Sequence, residues 1–267
     1  MSVGDFDPGI RVGRNQGGYR GERIDVDRLI GEASELALSS GWTLDPLAFK
    51  DGRSLPAFVR RYPSASSNIY LSAGIHGDEP AGPLAMRQLL GENQWPDRFN
   101  YWAVPCLNPV GFARNTRENE DGLDLNRDYH LGRAPAVEAH INWLGRQPNF
   151  DLALILHEDW ESNGFYIYEL NPDSRPSLAD RMTQAVSRVC PLDLAAQIEG
   201  REAVKGMIRF VGSMPERAEW PEAFYLAHHN VRHNYTLEAP SDFAMSVRVR
   251  ALVTAVRAAL DGFDLKI

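Results

Sequence analysis

With 267 residues and 43% apolar content, the chain can bury one large core, and an α/β arrangement of this length is commonly a single domain. A formal net charge of -8 argues against partners chosen by negative charge, so neither nucleic acid nor an anionic membrane surface is expected. The only two cysteines, Cys106 and Cys190, lie outside any CxxC pair, which argues against a disulfide framework or a thiolate zinc site.

No linker, internal repeat or low-complexity tract divides the sequence. Residues 1–267 read as one domain, with residues 1–22, rich in Gly and charge, as an extended arm. The opening MSVGDFDPGIRVGRN has no apolar targeting core, and no apolar run approaches membrane-spanning length, so a cytoplasmic location is the expectation.

In chain order, the apolar spacing over Ile24–Leu38 predicts an amphipathic helix stopped near Gly41. Trp42–Leu47 and Ala57–Tyr62 read as strands, with Asp51-Gly52 as the turn between them. Asn68–Ala73 reads as a strand buried on both faces. Gly74 and Gly77 permit sharp turns around His76, and Pro80 suits the first position of a helix running to about Leu90.

Asn100–Leu107 reads as a strand weakened at its end by Pro105. Asn108–Tyr129 is a long irregular segment whose patterned Asn, Arg, Asp and Gly content reads as functional. A helix is expected over Ala134–Leu144, and a strand over Asp151–Leu156 that delivers His157. Phe165–Leu170 reads as a strand, Ser177–Val189 as a helix, Val231–Leu237 as the last buried strand ending at Glu238, and Ala244–Leu260 as a closing helix. This alternation predicts an α/β fold, a single-domain mixed β-sheet with helices on both faces.

Ligands of such sheets bind outside the carboxyl ends of the strands, where His76, His157 and Glu238 are all expected. A hydrolytic zinc site takes three ligands from His and carboxylates and keeps a position open. His76, Glu79 and His157 supply that set, and Glu238 is the candidate for moving protons between water and a leaving amine. Taken singly, each has a plainer reading. Asp78 and Glu79 could complement a helix dipole, His157 could be a satisfied strand-end histidine, and Glu238 a solvated carboxylate before Pro240. Their shared placement favours one metal ion per chain. A His₂Glu set accepts several divalent ions.

The ordered set HGDE, NPVGFARNTR, DLNR, the Leu-His at His157 and TLEAP at Glu238 resembles the zinc carboxypeptidases of the carboxypeptidase A type, the M14 family. It looks closest to the small bacterial branch that includes murein peptide amidase, over about residues 66–245. The resemblance implies zinc ligation by His76, Glu79 and His157, and Glu238 as general base. It implies that Asn126 and Arg127 hold the substrate's terminal carboxylate, a task suited to a planar guanidinium fork. Asp124 would orient the first zinc histidine. An arginine of ARNTR would stabilise the oxyanion: the R-x-T-R spacing picks Arg114, and counting back from DLNR picks Arg117, with Arg114 preferred.

The family's mobile tyrosine has no counterpart at a familiar spacing. Tyr225 is near, and Tyr235 reads as core. Met207–His229, which should line the specificity pocket, has no familiar pattern. His228 and His229 read as surface residues, and His130, His140 and His233 carry no assigned role.

Three functions follow. The first is a zinc metallocarboxypeptidase or amidohydrolase cutting an amide bond next to a free carboxylate, in ordinary or murein-derived peptides. The second is an N-acyl amino acid deacylase of the aspartoacylase and succinylglutamate desuccinylase type. The short helical run after Glu238 favours the first, since those deacylases carry an extra C-terminal β domain. The third, a non-catalytic zinc- or peptide-binding module, is disfavoured by the presence of Glu238 and of an oxyanion arginine. Substrate side chain, stereochemistry and oligomeric state are not written in the sequence.

Overall fold

The computed structural model of the protein describes residues 10–13, 15, 21–210, 217–229, 231 and 233–263. Most of the arm expected over residues 1–22 lies outside that range. Of its described part, Arg11 pairs with Asp242 at 2.9 Å and the Val12 amide donates to the Asp242 carbonyl.

Helix α1 (Val26–Ser39) begins at Asp25, whose carboxylate accepts from the Arg28 amide, and buries Val26, Leu29, Ala33 and Ala37. Four short strands follow: β1 (Thr43–Leu44), β2 (Leu47–Ala48), β3 (Ser54–Leu55) and β4 (Phe58–Arg60). Here the strand expected over Trp42–Leu47 is split into β1 and β2, while the one expected over Ala57–Tyr62 is shortened to β4, with β3 added before it. Pro46 and Pro56 each remove a backbone donor within the run, so β2 and β3 close a small hairpin around Asp51-Gly52 while β1 and β4 pair in the main sheet.

The remaining elements are β5 (Ser67–Ala73), α2 (Ala81–Glu92), β6 (Phe99–Val104), α3 (Pro109–Arg114), α4 (Pro135–Leu144), β7 (Leu152–Asp159) and β8 (Tyr166–Leu170). After them come α5 (Ala179–Val186), β9 (Gln197–Ile198), β10 (Arg201–Glu202), β11 (Met207–Phe210), α6 (Glu222–His228), β12 (Asn234–Pro240) and α7 (Met245–Gly262). The segment expected to be irregular over Asn108–Tyr129 thus contains α3. Its first turn has Pro109, and Asn108 Oδ1 accepts from the Gly111 amide. A 3-10 turn follows at Leu125–Arg127. Unforeseen elements are β11 and α6 in the stretch without a familiar pattern, and the β9–β10 hairpin.

Among the described residues the main sheet has eight strands in the order β1-β4-β6-β5-β7-β12-β8-β11. Its centre, β6-β5-β7-β12, is parallel, while β12-β8 and the β4 edge are antiparallel. The expected mixed sheet with helices on both faces is what forms. Side chains alternate between faces along each strand. Leu152, Leu154 and Leu156 of β7 and Tyr235, Leu237 and Ala239 of β12 pack with α2, α5 and α7. Ala153 and Ile155 of β7 pack on the opposite face with α4 and α6.

That alternation places the chemistry. His157 continues the 153, 155 series, and Glu238 continues 234, 236. Both therefore point to the α6 side, and in the parallel β7–β12 register they are direct partners. Both lie within their strands, which run three residues further than expected, to Asp159 and Pro240.

Candidate functional site

His76 lies in the turn between β5 and α2. The chain leaves β5 through Gly74 at φ +68, and Gly77 backs onto α3 so closely that a Cβ there would stand 2.0 Å from the Gly111 carbonyl carbon. This glycine-to-glycine contact lets the turn fold tightly enough to bring His76 and Glu79 together.

His76 Nδ1 lies 2.6 Å from Glu79 Oε1, and His157 Nδ1 lies 2.9 Å from Glu79 Oε2. The ligand atoms of the three fall within 4.8 Å of one another, and all three side chains are buried. The Glu158 amide donates to Glu79 Oε2, and His76 Nε2 meets Asp124 Oδ1 at 3.2 Å. Arg117 bonds Asp124 Oδ2 through Nε and Glu79 Oε1 through Nη1.

The set fits a divalent cation on chemical grounds. A proton on His76 Nε2 facing Asp124 leaves the Nδ1 lone pair opposed to a Glu79 carboxylate oxygen, and a shared cation relieves that opposition. Burial works against the charge on Glu79, yet His76 and His157 hold its carboxyl well below the usual range. Burial lowers the His157 imidazole, although Glu79 opposes it. His76 is also pulled down by burial, but Glu79 and Asp124 outweigh that and raise it. The two histidines differ because only His76 has a second carboxylate.

These residues open into a cavity of about 360 Å³ that Glu238, Arg117, Asn126 and Arg127 also line. Burial raises the Glu238 carboxyl well above its ordinary value, reinforced by Glu79, Asp159 and Glu199 and opposed by Arg117. Asn126 spends its Oδ1 on the Glu222 amide at 2.9 Å, so its Nδ2 amide is what it can offer the cavity. Arg127 Nη1 donates to the Asn126 carbonyl oxygen.

Arg114, the arginine preferred from spacing, does not line the cavity. It is exposed and donates to the Glu120 carbonyl. It ends α3, where Asn115 turns left-handed at φ 57 and the Thr116 amide returns to the Gly111 carbonyl. Three residues further on, the reversed chain presents Arg117 instead.

Tyr225 stacks on His229 and does not line the cavity, while Tyr235 is buried with its hydroxyl on Glu169. The cavity tyrosines are Tyr166 and Tyr168 of β8. Their alternate spacing in YIYEL was the available signal. Arg201, Phe210, Arg217 and Phe224 complete a wall the sequence did not reveal.

Sheet, crossover order and buried His-Glu-His set define the class as an α/β protein with a candidate metal site toward the carboxyl ends of its central parallel strands. A sequence model of the Succinylglutamate desuccinylase/Aspartoacylase catalytic domain matches residues 65–188. Murein peptide amidase A of Escherichia coli (strain K12) is 31% identical over 109 residues, covering 39% of this chain and 44% of the relative. Carboxypeptidase 2 of Trichophyton tonsurans is 28% identical over 142 residues, covering 46% of this chain and 26% of the relative. The matches thus span less than half the length of either relative.

A solved structure from Shewanella baltica OS155, assigned as a metallopeptidase, shares the fold with a TM-score of 0.75 at 22% identity, covering 89% of this chain and 92% of that one. The resemblance to the carboxypeptidase A-type family and its desuccinylase and aspartoacylase relatives holds. Among the described residues no helix is long and apolar enough to cross a membrane.

Proposed function

We propose that the protein is a metal-dependent hydrolase that cleaves an amide bond next to a free carboxylate, with zinc held by His76, Glu79 and His157. The observation that carries this reading is the register pairing of His157 with Glu238, which sets a candidate base beside the donor set in one cavity. When bound, the ion polarises a carbonyl and acidifies water.

The chain's own residues do the rest. Asn126 and Arg127 anchor the substrate carboxylate through amide and guanidinium donors. Glu238 takes a proton from the attacking water and delivers it to the departing nitrogen; its raised affinity for protons favours the first of these steps. Arg117, with Nε and one Nη1 hydrogen on carboxylates, has donors left for the oxyanion. Asp124 holds His76 by its far nitrogen. Murein-derived peptides are candidate substrates because murein peptide amidase A is among the relatives.

A second reading, N-acyl amino acid deacylation, is favoured by the family match over residues 65–188, which spans the HGDE and DLNR motifs. Both are tested by hydrolysis assays on the zinc-loaded protein. The panel holds peptides with free and amidated C-termini, a γ-D-glutamyl-diaminopimelate peptide, and N-acetyl and N-succinyl amino acids. Cleavage that needs the free carboxylate and falls by about 10²–10⁴ in Glu238→Gln is the expected result. Cleavage confined to N-acyl amino acids selects the deacylase. No cleavage at full metal occupancy refutes both and brings back the binding module.

A further inference from the structure

Glu158 follows His157 on β7, and strand alternation turns its side chain to the opposite face of the sheet, where α2 and α7 pack. There the carboxylate is fully buried. Its Oε1 accepts from the Ala81 amide, and its Oε2 accepts from the Ser241 hydroxyl at 3.1 Å and from Arg248 Nη1 at 2.6 Å. Arg248, on α7, is itself 1% exposed and sets its Nη2 3.1 Å from Glu22.

These partners sit at the ends of the elements that carry the site. Ala81 opens α2 just after Glu79 and Pro80, and the N-cap Pro80 gives the helix no side-chain cap of its own. Glu158 supplies that cap from β7, with its negative charge at the positive end of the helix. Its backbone amide also donates to Glu79 Oε2 at 3.1 Å. One residue thus holds Glu79 twice, at its carboxylate and through the backbone that follows it. Ser241 directly follows β12, the strand of Glu238. The buried carboxylate therefore ties together the β5–α2 turn, β7 and the end of β12.

Exchanging a buried ion pair such as Arg248–Glu158 for apolar side chains is often neutral for stability. What the pair adds is geometry, because it fixes Glu158 in one orientation against α2. A metal centre tolerates donor displacements of only about 0.2 Å, so a small slip of α2 along β7 is enough to separate Glu79 from His157.

We propose that Glu158, locked by Arg248, is a positioning residue of the metal centre: it sets the start of α2 against β7 so that Glu79 and His157 meet one ion. This rests on the assignment above of those two residues and His76 as the metal donors. The Glu158 carboxylate is inaccessible, so it acts through the Ala81 amide and not on substrate.

The test compares two double variants, Glu158→Met/Arg248→Met and Glu158→Gln/Arg248→Met. Both remove the same two charges, but only the second keeps an oxygen for the Ala81 amide. Zinc affinity of the full chain is measured by competition with a chelator, at a temperature where circular dichroism shows each protein folded, so that a change in fold stability does not enter. The first variant should bind zinc roughly 10–100-fold more weakly than the natural chain, and the second should recover most of that loss. Natural affinity in the first variant, or equal weakening in both, overturns the positioning role. If the first variant does not fold, Glu158→Asp decides: it keeps the charge for Arg248 but withdraws the oxygen from Ala81. Binding about tenfold weaker is then expected, and unchanged affinity overturns the proposal. If zinc binding responds as expected but the natural chain hydrolyses no amide, the positioning role stands and the hydrolase reading fails. A natural chain that binds no zinc overturns the metal site and this role together.

Discussion

Glu222 shows how one buried side chain ties the core to the site. Its backbone amide holds Asn126, and its Oε1 accepts from the Tyr70 hydroxyl. Tyr70 Oη in turn meets His140 Nε2 at 2.9 Å, and His140 Nδ1 meets the Tyr129 hydroxyl at 2.7 Å. Because the Tyr70 proton is spent on Glu222, His140 must donate from Nε2 and accept at Nδ1. Burial lowers the His140 imidazole to about 3, which keeps it neutral in that role.

Burial also raises the Glu222 carboxyl from 4.5 to about 7. The folded state therefore keeps a proton that the unfolded chain gives up. This contribution to stability is complete below the unfolded value and is lost as the pH rises through about 7. Glu222→Gln should thus be more stable than the natural chain at pH 8, by on the order of 3 kcal/mol, and similar to it near pH 4.5. Urea denaturation at the two pH values decides it; an unchanged difference would sink the idea. The arginines make a second test. Arg117→Ala should lower kcat by roughly 10²–10³, the loss typical of an oxyanion donor, whereas Arg114→Ala should stay near the natural rate.

At the element scale, the turn after β5 and the start of α3 depend on two glycines with no room for a Cβ. At Gly111 an added carbon would stand 2.5 Å from Asn108 Nδ2 and 2.9 Å from the Glu118 carbonyl. Gly77→Ala should destabilise the fold by about 1–3 kcal/mol or more and weaken metal binding, since the displaced turn carries His76 and Glu79. Thermal unfolding with and without zinc measures both effects.

The elements legible in sequence were the long ones with one strong period. The α1 helix and the strands β5, β7 and β12 carry continuous apolar patterns that tertiary contacts reinforce. The short ones were not legible. The β1–β4 pairing depends on which prolines break a run, and α3 depends on an Asn108 cap inside a polar loop. The β9–β10 hairpin has too few apolar residues to show a period.

For the whole molecule, the proposed metal donors come from the β5–α2 turn and from β7, so an ion that binds only the folded state would stabilise it by mass action. Zinc at about 1,000 times its Kd should add roughly 4 kcal/mol. Chelation should lower the Tm correspondingly, and His157→Ala should abolish most of the difference.

The sequence by itself determined the motif set, the mixed α/β class and the His76, Glu79, His157 and Glu238 grouping, because strand-end positions and residue chemistry are local properties. Only the tertiary structure decided that Arg117 rather than Arg114 reaches the cavity, since a left-handed Asn115 reverses the chain between them. It alone brought Arg201, Phe210, Arg217 and Phe224 into one cavity wall. Those residues come from β10, β11, α6 and the chain just before α6, and their proximity is a property of packing that no spacing in the sequence records.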